Sequence, residues 1–184
     1  MTHVNLFIEN IEIAVFTKGI VQDGCIFFVH GNSLSSKSFL KQFEFIEDIP
    51  LVSIDLPGHG ESEKAKNPDG TYNTNSYARI VNEVAEQLQL KNVVLCGFSL
   101  GGHIVLEAYP KMNFCKGIVA VGTAFVGKPV PSFEDTFLPH PAINFAFSGE
   151  LSEEHAEQLA SAFTLDEGLI KESKMDILNT DPIA

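Results

Sequence analysis

Six residues, Gly97-Phe98-Ser99-Leu100-Gly101-Gly102, constrain this chain more than any other stretch. They follow an apolar run, Val93-Val94-Leu95-Cys96, and open a helical pattern through His103, Ile104, Val105, Leu106 and Ala108. A G-x-S-x-G string in that setting is a strand turning sharply into a helix. So tight a turn leaves its neighbours almost no room for side chains, which accounts for glycine at 97 and 101. Ser99 is then carried on the bend, with its hydroxyl projecting from the C-terminal edge of a sheet. The N–H groups of the new helix face incoming negative charge there. The plainer alternative is a glycine-rich connection with an idle serine. The strand before it and the helix after it favour the reactive hydroxyl.

The flanking sequence extends the same architecture. His3 to Glu9 and Ile11 to Thr17 alternate apolar and polar residues around Glu9-Asn10, which predicts an antiparallel hairpin. Val21 to Gly24 is a turn. Cys25-Ile26-Phe27-Phe28-Val29, Leu51-Val52-Ser53-Ile54 and Gly117-Ile118-Val119-Ala120-Val121-Gly122 are short continuous apolar runs. Parallel strands covered on both faces have this character. Between them, Phe39, Leu40, Phe43 and Ile46 mark a helix within Ser36 to Asp48. A second helix is marked by Tyr77, Ile80, Val81, Val84 and Leu88, with Asn75 or Ser76 as its N-cap. Glu63 to Asn75 is a long polar loop. Strand and helix therefore alternate, and the fold class is α/β: a mostly parallel sheet with an N-terminal antiparallel hairpin and helices on both faces. Residues 1–126 form this core.

After Gly127 the prolines at 129, 131, 139 and 141 interrupt the chain repeatedly. Ser152-Glu153-Glu154 then starts a helix with the stripe Ala156, Leu159, Ala160 and Phe163, and Leu165 to Leu178 makes one more helix or two short ones. Residues 127–184 are expected to be a helical cap, or lid, over the sheet edge.

Charge narrows the partners. The 184 residues carry a formal charge of −12 and show no Lys/Arg run, which disfavours nucleic acid and anionic membrane surfaces. No apolar run reaches the length of a membrane span. The N-terminus has no secretory pattern, and Cys25, Cys96 and Cys115 lack C-x-x-C spacing. Reduced thiols and a cytoplasmic location are the expectation. No residue set calls for a cofactor or metal, and a small molecule is the expected partner.

Three motifs now stand in order at the ends of successive strands: His30-Gly31-Asn32, Asp55-Leu56-Pro57-Gly58-His59-Gly60-Glu61-Ser62, and Gly97-Phe98-Ser99-Leu100-Gly101-Gly102. Together they resemble the α/β-hydrolase superfamily, in the branch of small capped carboxylesterases, haloperoxidase-like enzymes and carbon–carbon bond hydrolases. The resemblance implies that Ser99 is the catalytic nucleophile. It implies an oxyanion hole formed by the backbone N–H groups of Leu100 and Asn32. His30 and His59 match motif positions that shape loops, not the base. His30, Gly31, Phe98 and Phe125 would support the motifs or the pocket, and His103 would pack behind the elbow. The phenylalanines at 125, 133, 137, 145, 147 and 163 line an acyl pocket or fill the cap core.

The superfamily order is serine, acid, histidine. No strand is read after Val121 and no histidine follows His155. The acid and base are therefore expected beyond Ala184, with the chain truncated after the cap and inactive alone. The expected activity is hydrolysis of an ester or thioester of a small apolar acyl compound through an acyl-serine. The alternatives are carbon–carbon bond hydrolysis or perhydrolysis on the same fold, or a non-catalytic ligand-binding protein. A strand left at an open sheet edge would also promote homo-oligomers.

Overall fold

A computed structural model describes residues 1–124, 132, 136, 137 and 139–184. Six strands form one sheet: β1 (Thr2–Ile8), β2 (Ile11–Lys18), β3 (Cys25–Val29), β4 (Leu51–Ile54), β5 (Val93–Phe98) and β6 (Cys115–Val121), in the order β1-β2-β4-β3-β5-β6. The hairpin β1–β2 is antiparallel, and β2 joins β4 antiparallel. Pairings β3–β4, β3–β5 and β5–β6 are parallel. The expected fold class is therefore the observed one. Glu9 and Asn10 carry the hairpin turn with φ of 49° and 65°, the left-handed pair a two-residue connection requires.

Helices cover both faces. α3 (Thr74–Gln87) and α4 (Leu100–Ala108) bury Ile80, Val81, Val84, Ile104 and Val105 against Phe27, Val52, Val93 and Leu95. On the opposite face the 3₁₀ turn Ser36–Phe39 and α1 (Leu40–Phe45) pack Phe39 and Phe43 on Phe28 and Leu51. α1 is shorter than the apolar spacing predicts, because Ser36–Phe39 is a separate 3₁₀ turn. The long loop holds one short helical turn, α2 (Pro68–Thr71). α3 is capped by Asn73, not Asn75 or Ser76. The Asn73 side chain accepts the Ser76 N–H at 3.0 Å, which frees Ser76 to donate its hydroxyl to the Gly70 carbonyl at 2.8 Å.

Among the described residues β6 is the open sheet edge expected around Val119. It reads like the interior strands, yet Val119 and Val121 are 46% and 49% exposed. It has a strand partner on one side alone among the described residues, so its apolar composition is not matched by cover.

Two more helices follow, α5 (Glu153–Phe163) and α6 (Glu167–Asn179), so the tail of the sequence forms one helix, not two. Ser152 and Asp166 cap them, accepting the N–H groups of His155 and Leu169. The pair packs internally through Ala156, Leu159, Ala160 and Ile177. Polar ties bind it to the sheet loops: Lys37 Nζ lies 2.8 Å from Glu172, the Tyr72 hydroxyl donates to Asp181 at 2.8 Å, and the Asp181 N–H donates to the Gly58 carbonyl at 2.8 Å. No helix among the described residues is long and apolar enough to cross a membrane.

Candidate active site

The bend at Ser99 is enforced by contact between backbones. A Cβ at Gly97 would overlap the carbonyl of Gly101, and one at Gly101 would overlap the carbonyl of Val29. No side chain can be accommodated at either position, because the obstacle is main chain. Ser99 itself has φ 51° and ψ −117°, a region that costs a non-glycine residue about 1–3 kcal/mol. Three hydrogen bonds hold it there. Its N–H donates to the Val121 carbonyl at 2.9 Å, and its carbonyl accepts from the Gly102 N–H at 2.9 Å and the Thr123 hydroxyl at 3.1 Å. The strand β6 thus braces the bend.

Facing Ser99 is the loop after β3. Gly31 lies so close that a Cβ there would stand 3.1 Å from the Ser99 Cβ. Asn32 follows in a turn, with Ser33 at φ 58°. The Asn32 side chain donates to the Ala146 carbonyl at 3.2 Å. No described group accepts the Asn32 backbone N–H. Leu100 is the first residue of α4, so its N–H has no acceptor within the helix. Asn32 and Leu100 line the cavity at Ser99 together, and backbone N–H groups with no other acceptor can serve an oxyanion.

Two buried imidazoles stiffen the corner. His30 donates from Nδ1 to the Gly31 carbonyl at 2.7 Å and accepts the Leu56 N–H on Nε2 at 3.0 Å. It joins the loop after β3 to the loop after β4 and is neutral, with burial lowering its pKa to about 4. His59 lies beside it, its ring tilted by 52° with centroids 5.2 Å apart, and donates Nδ1–H to the Pro57 carbonyl at 3.0 Å. Burial, then the neighbouring His30, lowers its pKa to about 3. Asp55, also buried, accepts the N–H groups of Ser36 at 2.7 Å and Glu61 at 2.8 Å. The second motif thus builds a scaffold beneath the Ser99 corner.

A cavity of about 380 Å³ opens at the bend. Gly31, Asn32, Phe98, Ser99 and Leu100 line it together, so the sequence-predicted residues meet in one place. Phe137, Phe147 and Phe163 close it from the C-terminal side, whereas Phe145 stacks on His155 at 4.2 Å and packs with the helical pair. Phe125 and Phe133 lie outside the described residues. His103, read from sequence as a packing residue, also lines the cavity. It stands one helical turn beyond Ser99, a spacing that signals a shared face. Among the described residues the Ser99 hydroxyl makes no hydrogen bond to a histidine. Nor does any group of three or more His, Cys, Asp or Glu among them form a cluster suited to a metal. Cys25 is buried with its thiol pushed up to about 12, which makes it inert.

Strand order, elbow and facing donors define a hydrolase-type fold, and comparison with known proteins agrees. The chain belongs to the alpha/beta hydrolase fold family, whose model matches residues 24–162. It is 31% identical over 153 residues to an uncharacterized hydrolase of Bacillus subtilis, YugF, covering 80% of this chain and 54% of that protein. Among solved structures it is similar to the N-acyl homoserine lactonase AidH complexed with N-butanoyl homoserine, at 28% identity and a TM-score of 0.85. All of this chain and 66% of the lactonase are superimposed. An esterase from Exiguobacterium antarcticum matches in fold, with a TM-score of 0.77 at 18% identity, over 99% of this chain and 70% of the esterase. The chain spans about half to two thirds of these proteins.

Proposed function

We propose that the protein is a serine hydrolase that opens an ester, thioester or lactone of a small apolar acyl compound. Ser99 Oγ attacks the carbonyl carbon, and the resulting oxyanion takes hydrogen bonds from the N–H groups of Asn32 and Leu100. Collapse of the tetrahedral species expels the alcohol or thiol and leaves an acyl-Ser99 ester, which water then cleaves. The proton of Ser99 must pass to a base, and the superfamily order puts that base and its orienting acid after the helical segment. The segment 127–184 serves as the lid, and its phenylalanines meet the acyl chain.

One observation carries this reading: Ser99 sits strained on its bend inside an apolar cavity that Asn32 and Leu100 also line. A strained serine without chemistry would be replaced by glycine at a gain in stability. The lactone enters the substrate class because the 28%-identical neighbour is a lactonase. Two donors of this kind lower a barrier by roughly 3–4 kcal/mol each. A fluorophosphonate probe on the full-length protein, which supplies the acid and base, tests the assignment. It should form a covalent adduct at Ser99, and Ser99→Ala should abolish labelling. Labelling that persists in Ser99→Ala, or none in the unaltered full-length protein, overturns it.

A further inference from the structure

The loop bearing Asn32 is poor in bonds of its own. Between Gly31 and Ser35 its one internal backbone bond, from Leu34 N–H to the Gly31 carbonyl, is long at 3.4 Å. Side chains hold it instead. From below, Asp55 accepts the Ser36 N–H at 2.7 Å. From above, the Ser35 hydroxyl donates to Asp176 Oδ2 of α6 and accepts the Lys37 N–H at 3.2 Å. Ser35 is fully buried and Asp176 is 5% exposed. Lys37 Nζ stands 3.7 Å from Asp176 and 2.8 Å from Glu172. A carboxylate withdrawn from water in this way is costly unless it is used. An apolar residue at 176 would pack α6 against the core at no such cost. What the carboxylate adds is directional: it fixes the Ser35 hydroxyl, three positions after Asn32.

We propose that Asp176 is a positioning residue. Through the Ser35 hydroxyl it sets the loop that presents the Asn32 N–H to the Ser99 cavity. Oxyanion donors act within a few tenths of an ångström, so a loop with so few backbone bonds needs such a tie. The helical segment then contributes to the catalytic geometry as well as to the cavity wall. The role assigned to Asp176 rests on Asn32 being an oxyanion donor.

Amide hydrogen exchange, and ester kinetics in the full-length protein that carries the acid and base, test this on the same variants. Asp176→Ala and Ser35→Ala should each speed exchange across residues 31–36 by about tenfold, the effect of losing one charge-assisted hydrogen bond, and leave α4 unchanged. Asp176→Asn keeps an acceptor for Ser35 and should restore exchange to within about threefold of the unaltered protein. In hydrolysis, kcat should fall by about tenfold in the alanine variants while KM shifts less than about twofold, with Asp176→Asn again close to normal. Unchanged exchange at 31–36, equal acceleration in α4, or kcat and KM moving together overturns the proposal. Should Asp176→Ala fail to fold, Ser35→Ala makes the same comparison. If no ester is turned over, the proposed function fails, and the exchange data alone decide whether α6 sets the loop.

Discussion

The elbow corner and the C-terminal helical pair, which reaches the Ser99 cavity through Phe163, are held by opposite means. At the elbow, main chain touches main chain. Gly97, Gly101 and the Val29 carbonyl leave no space, and the two histidines below are neutral and sealed. The helical pair has a small apolar core of its own and reaches the sheet through ions and hydrogen bonds: Lys37 to Glu172, Ser35 to Asp176, Tyr72 to Asp181. Steric fixation leaves one geometry at the bend. Polar fixation of the helical segment can be loosened group by group, as the proposed lid role would require.

The largest expected effect comes from breaking the steric side. In Gly101→Ala, helix propensity alone would favour alanine by about 1 kcal/mol. The new Cβ would meet the Val29 carbonyl, which cannot move without breaking β3. The clash should win by more than about 3 kcal/mol, read as a large drop in the denaturant midpoint. A gain in stability would show the corner is not tightly packed.

Acid should then separate the two regions by sign. His30 and His59 have pKa values lowered from 6.5 to about 4 and about 3, so the unfolded chain binds protons that the folded chain refuses. Stability contributed by each neutral ring is present above pH 6.5 and is lost as pH falls toward those values, about 2 kcal/mol for each at pH 5. Asp176 runs the other way. Burial, opposed by Ser35 and Lys37, raises it from 3.8 to about 6, with Asp55 and Glu172 adding repulsion. The folded state takes up this proton more readily than the unfolded one. Its penalty, of the order of 2–3 kcal/mol, is full above pH 6 and gone below 3.8. Asp176→Asn should therefore stabilise the protein at pH 7 and not at pH 3.5, while the steep acid loss from the histidines remains. Urea midpoints at the two pH values decide this, and an equal shift at both refutes the buried-carboxylate account.

The smallest effect is at the bend itself. Ser99→Gly releases strain of about 1–3 kcal/mol and adds about 0.5–1 kcal/mol of backbone freedom to the unfolded chain. A net gain of about 1 kcal/mol is expected, seen as a rise in Tm, alongside loss of probe labelling. A loss of stability would mean that the serine side chain supports the turn.

The sheet and the elbow were legible because their signals are local. Val93 to Cys96 is an unbroken apolar run, and the glycines at 97 and 101 mark the bend without reference to anything distant. The meeting of Asn32 with Ser99 was legible only through the family pattern of three motifs, since no local rule joins residues on different strands. Composition alone reads Val119 and Val121 as buried; their exposure was legible only because no later strand in the sequence was found to pair beside them. Asn73 lost out to Asn75 and Ser76 in the sequence because all three are good caps, and only the geometry of the preceding turn chooses. His103 and Asp176 were passed over for a related reason. A lone histidine inside a helix and a lone aspartate among glutamates carry no signal until the partner across the cavity or the loop is known.

The tie between Ser35 and Asp176 joins positions 141 residues apart. A chain leaves the ribosome at about 5–20 residues per second, so Ser35 waits on the order of ten seconds for its carboxylate. Contacts of such long range are also the slow ones in refolding. The first half of the sheet can assemble early, but the loop at 31–36 acquires its final shape only when α6 arrives.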